Sequence, residues 1–176
     1  DMPTVGTASK GLLVTGMGVD RTIIDITGTG EVHAFEFKDG ASHITLQNLS
    51  IKGAAEGRWS HGVYVNKRGS NRHVTLKNLD IQWQGQKDGG SGIFIFNQED
   101  ANLHVQNVTA SGASDGIYLK GSNAIRVEDC TFHGNIEDGI DYNGGTQIFL
   151  LNNECYDNGD RGIVVHGNEL PQSGGV

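Results

Sequence analysis

Apolar and polar residues alternate along this chain in short runs, and the runs repeat. A small residue followed by apolar–x–apolar recurs at Gly11, Ala34, Gly62, Gly92, Gly116, Gly139 and Gly162, at spacings of 23, 28, 30, 24, 23 and 23 residues. A second run, apolar–x–apolar–x–Asn–apolar–x–apolar, starts at Ile44, Val74, Leu103, Ile125 and Ile148. Its polar position falls at Asn48, Asn78, Asn107, Asp129 and Asn152, with Asp25 in a degenerate first copy. Period-two alternation makes each run a strand.

Both runs recur in the same order, without reversal, so a hairpin meander is excluded. Parallel coils stacked on one another, roughly 4.8 Å apart, satisfy the pattern. Leu49 must face inward directly after Asn48, which requires a bend, and Asn accepts the left-handed region at little cost. Amides stacked in that column can hydrogen-bond from coil to coil. The fold expected is all-β: a right-handed parallel β-helix of about seven coils over residues 1–176, a single domain read as a module of a longer protein.

Composition agrees. Gly is abundant at 27 residues and Pro scarce at 2, as many short strands joined by turns require. A formal charge of −8 argues against nucleic acid as a partner. No apolar run approaches membrane-spanning length. Cys130 and Cys155 fall inside, two residues out of register on adjacent strands, and are read as unbridged core residues.

The longer repeats mark insertions at Gly53–Ser60, Asn66–His73 and Gln82–Ser91, which carry Arg58, Trp59, Lys67, Arg68, Arg72, Trp83 and Lys87. Loops on a rigid scaffold commonly bind ligands. Beside them, one outward column of the Gly-led strands reads Leu13, Glu36, Tyr64, Phe94, Tyr118, Asp141, Val164. The next reads Thr15, Lys38, Asn66, Phe96, Lys120, Asn143, His166. Three successive aromatics form either a platform for sugar rings or a cross-coil stack that only stabilises the sheet.

The runs GLLVTGMGVDRTIID (Gly11–Asp25) and NNECYDNGDRGIVVHGNELPQSG (Asn152–Gly174) resemble the pectate-lyase-like superfamily, closest to the catalytic modules of mannuronan C5-epimerases. That family's catalytic strand carries Tyr-Gly-Phe-Asp-Pro-His, against which this chain sets Ser91-Gly92-Ile93-Phe94-Ile95-Phe96. Phe94 and Phe96 replace the acid and the histidine, Glu137 falls near the catalytic arginine, and Arg58 keeps a basic residue. Phe moves no protons, so the resemblance implies a diverged or non-catalytic relative.

The leading expectation is therefore an extracellular or cell-surface module that binds polysaccharide, acidic in kind, through Lys38, Arg58, Trp59, Tyr64, Trp83, Phe94, Tyr118 and His166. The rival is a uronan lyase or C5-epimerase with Lys120 as base, Asp138 and Asp141 as partners, and Ca²⁺ held by Asp115, Asp138 and Asp141. A third reading is structural. The ends carry no obvious cap, and Phe149 and Leu151 point outward, which invites self-association or a covering segment.

Overall fold

The computed structural model describes residues 11–28, 30–55, 59–66, 71–85, 89–98 and 101–167. Among these, β1 (Leu12–Thr15), β2 (Ile23–Gly28), β3 (His33–Phe37), β4 (Ser42–Ala55), β5 (His61–Val65), β6 (Arg72–Gln84) and β7 (Ile93–Phe96) form the first half. They are followed by β8 (Leu103–Ser111), β9 (Ile117–Glu128), β10 (Thr131–His133), β11 (Ile140–Leu151), β12 (Glu154–Tyr156) and β13 (Ile163–His166). Every pairing is parallel, and the strands coil right-handedly for about five turns.

The Gly-led strands stack as expected from Ala34 onward: Val63 pairs with Ile93, Ile93 with Ile117, Ile117 with Ile140 and Ile140 with Ile163. Gly11 does not open this column. Leu12 pairs with Ile44 and Val14 with Leu46, so β1 belongs to the second run, and Leu13 and Thr15 lie over Thr45 and Gln47 rather than beside Glu36 and Lys38. Asp25 likewise pairs with Lys52, outside the Asn column. The stack is shorter than seven coils for this reason.

The bend at the Asn column is real. Asn48, Asn78, Asn107, Asp129 and Asn152 all have φ between 50° and 59°. The Asn78 amide donates to Asn48 Oδ1 (2.9 Å) and that of Asn107 to Asn78 Oδ1 (2.9 Å). Asn152 donates to Asp129 Oδ1 at 3.4 Å. A second left-handed corner, just before the second run, holds His43, His73, Asn102, Ala124 and Gln147 (φ 47–57°).

Inward positions of all strands make one continuous apolar core, with Leu46, Leu76, Val105 and Val127 in register and fully buried. Each such side chain contributes about 1.5–3 kcal/mol through burial. Cys130 is buried and Cys155 half-buried; both are free thiols, with Cys155 opposite Phe132 and hence two residues out of register with Cys130. Phe149 is 53% exposed, as its outward position implies.

Candidate functional site

Alternation sends every second residue of the Gly-led strands outward, and the parallel register sets equivalent residues on top of one another. The column Glu36, Tyr64, Phe94, Tyr118, Asp141, Val164 is observed in that order. Its neighbour runs through Phe96, Lys120, Asn143 and His166.

The rings of the first column face one another. Tyr64 and Phe94 are 5.3 Å apart and 4° from parallel, and Phe94 and Tyr118 are 4.9 Å apart at 11°. Ring faces thus point along the stack and are covered by the next ring. Phe94 is 3% exposed, so it offers no stacking face to a ligand; of the two readings of this column, the rings form the cross-coil stack. Tyr64 and Tyr118 remain partly exposed. Beneath them His33 and His61 stack at 5.3 Å, and His61 packs against Phe94 at 4.8 Å. Burial, with His33 adding to it, pushes the His61 imidazole down to about 3, and its Nδ1 accepts from the Ser91 amide (2.9 Å).

Trp83 is not a loop residue. β6 runs past the motif to Gln84, and its alternation carries Trp83 inward, where it is 1% exposed over Gly53. A Cβ at Gly53 would overlap the indole, and Trp83 Nε1 donates to the Ser60 carbonyl at 2.9 Å. Trp83 is therefore a core residue on β6 rather than part of an exposed loop rim. Trp59 is 52% exposed. Arg58, with Lys67, Arg68 and Lys87, lies outside the described residues.

The remaining candidates occupy the last three coils and the start of the face. Asp115 is 8% exposed; burial first, then Asp141, Glu137 and Asp138, push its carboxyl up to about 7, against the Asp138 amide that donates to it at 3.3 Å. Asp138 is raised by burial, opposed by Arg161 at 3.7 Å. Asp141 is raised by burial, opposed by His166 at 3.4 Å. Burial and Asp141 also raise the Tyr118 phenol. Asp138 Oδ1 and Asp141 Oδ1 accept no hydrogen bond. Lys38 pairs with Glu36 (3.0 Å), which also accepts from the Asn66 amide (2.8 Å).

Lys120 is drawn elsewhere. Its ammonium lies 5.7 Å from the Phe96 ring centre and 6.0 Å from that of Tyr118, and no ion pair joins it to Asp138 or Asp141. The expected base and its carboxylate partners are thus on one face but not in contact. Asp115, Asp138 and Asp141 do not converge on a point either: each turns to a different partner, and no cluster of three or more His, Cys, Asp or Glu among the described residues could hold a metal ion. The Ca²⁺ site read from sequence is not formed by these three residues.

Sequence reasoning missed Asn143 as a site residue; its amide donates to Tyr118 Oη at 3.4 Å. Its place in the Lys120 column was the available signal. What the last coils present is one aromatic phenol, Tyr118, beside an ammonium, an amide, a carboxyl and an imidazole.

A search of curated proteins finds no match to this sequence. The family described as the right-handed β-helix region matches residues 34–173, spanning all the Gly-led strands of the observed column. With the parallel register and right-handed coil in agreement, the chain belongs to the right-handed β-helix family.

Proposed function

We propose that this chain is a polysaccharide-binding β-helix module whose ligand runs along the stack on the outer face of the Gly-led strands. The observation that carries the reading is the strip Tyr118, Lys120, Asp141, Asn143, His166, in which hydrogen-bonding groups of several kinds, spread over three consecutive coils, adjoin the partly exposed Tyr118 ring. Sugars need both: their C–H surfaces pack against apolar edges while their hydroxyls seek polar partners. The coil rise of roughly 4.8 Å is comparable to the length of one residue of an extended glycan, so successive sugars of one polymer can each lie against one rung. Lys120 supplies the positive group that an acidic polymer would engage. A relation to mannuronan C5-epimerases belongs to this proposal and would make the binding partner a uronan.

The test is retention on insoluble or gel-linked polysaccharides, neutral and uronate, by the parent chain and by Tyr118→Ala and Lys120→Ala. The expected result is binding to at least one polymer, weakened about tenfold or more in Lys120→Ala if the polymer is a uronate. No retention on any polymer overturns the proposal.

A further inference from the structure

The corner that precedes the second run is lined by large polar side chains except at one rung. His43 and His73 stack their rings at 4.5 Å, and the Asn102 amide reaches His73 Nδ1 at 3.1 Å. Ala124 comes next, then Gln147. Ala124 adopts φ 55°, a left-handed conformation that is unfavourable for an L-residue without a polar side chain. Asn, which occupies this corner one coil earlier, would adopt it more cheaply. Backbone strain of this sort is a reason to look for a role. Ala124 keeps a gap open between the Asn102 and Gln147 amides.

The gap continues onto the outer face. His104, Arg126 and Phe149 stand in register on three successive coils. Arg126 in the middle is held aside by Glu128, whose Oε2 accepts from Arg126 Nε at 2.6 Å while Oε1 meets His104 Nε2 at 2.8 Å. What remains is a groove of about 290 Å³ bounded by Asn102, His104, Ala124, Arg126, Gln147 and Phe149. Phe149 is more than half exposed, and the Gln147 side-chain amide has no hydrogen bond among the described residues.

We infer that this groove is a subsite for one pyranose ring, on a different face from the strip that includes Lys120. Its volume lies just under the range of drug-sized ligand pockets, which starts at about 300 Å³, so it takes one ring rather than an oligomer. Phe149 supplies an unpaired aromatic ring for the C–H surface of the sugar. Asn102 and Gln147, two coils and roughly 10 Å apart, supply amides for hydroxyls on opposite edges. Arg126 and His104 are shared with Glu128, so the groove accepts a neutral sugar and also tolerates a uronate.

The experiment is saturation-transfer NMR and calorimetry with two probes, cellotetraose and tetragalacturonate, on the full chain. The parent should show transfer to ring protons of at least one probe. Ala124→Asn should fill the groove, keep the left-handed corner, melt no lower than the parent and weaken binding at least tenfold; Phe149→Ala should weaken it similarly. Equal response to both probes, or a preference for the uronate, supports the subsite and tells which sugar class it takes. Unchanged binding in both variants overturns the subsite while leaving the Gly-led face as the binding surface. No transfer from either probe in the parent also overturns it.

Discussion

Replacing Asp115 by Asn should make the chain more stable at alkaline pH and leave it almost unchanged in acid. The Asp115 carboxyl is 8% exposed and titrates at about 7 rather than 3.8, chiefly through burial and then through Asp141, Glu137 and Asp138. Arg161 and His166 also face this group of carboxyls, on Asp138 and Asp141, and Tyr118 packs beside it. The folded chain therefore holds this proton across a range where the unfolded chain has released it. The contribution to stability is fully present below about pH 3.8 and is lost as pH rises to about 7. Each pH unit of that window is worth about 1.4 kcal/mol, so the full loss is on the order of 4 kcal/mol. Asn has the same shape and keeps an Oδ1 to accept the Asp138 amide, but cannot ionise. Urea unfolding followed by circular dichroism at about pH 4 and about pH 8 gives the comparison. Asp115→Asn should exceed the parent by a few kcal/mol at the higher pH and converge with it at the lower. A difference that is the same at both pH values would refute the assignment of a buried, proton-retaining acid.

Further outcomes follow from the ladders and the core. Asn78→Ala removes two side-chain hydrogen bonds at about 1 kcal/mol each and adds a left-handed penalty of about 1–2 kcal/mol, so it should cost about 3–4 kcal/mol in urea unfolding; Asn78→Gly, which keeps the backbone freedom, should cost less. Asp129 has no amide proton to give Asn107, so the ladder breaks there, and Asp129→Asn should join its halves and stabilise by about 0.5–1.5 kcal/mol. Trp83→Ala should cost about 3–5 kcal/mol in the same assay yet leave polysaccharide retention at native temperature unchanged, as a core residue must. His61 titrates near about 3 when folded and near 6.5 when unfolded, so the unfolded chain gains the proton first and stability falls as pH drops from 6.5 toward 3; His61→Asn, which can still accept from Ser91, should flatten that slope.

Much of the fold was legible because a solenoid writes its register into its spacing. Counting from Ala34 located every later Gly-led strand, and Leu49 following Asn48 demanded the left-handed bend that the backbone shows. Gly11-Leu-Leu-Val misled because β1 shares the local pattern of either run; the residues from Gly16 to Thr22 take the place of the Asn bend and hide its register. Trp83 misled because spacing reports how many residues are extra but not where the strand stops. The site was less legible. Tyr64, Phe94 and Tyr118 were placed on one column, yet ring orientation depends on what lies above and below, and like rings at coil spacing satisfy one another before any ligand does. The groove at Ala124 is a missing side chain in a ladder, visible only once Asn102 and Gln147 are known to flank it.

Strict parallel register has a thermodynamic corollary. Because each coil touches only the coils before and after it, stability behaves as a chain of nearest-neighbour couplings, and loss of structure proceeds as fraying from either tip. The outermost described strands already show this asymmetry of support: Leu12 and Val165 are 54% and 64% exposed, whereas Leu76 and Val105, midway, are fully enclosed. Amide hydrogen exchange should accordingly form a gradient with its slowest point near β6 and β8. On the side of β13, the last described strand, opening of the zipper would take His166 away from the Asp141 carboxyl and set that carboxyl free.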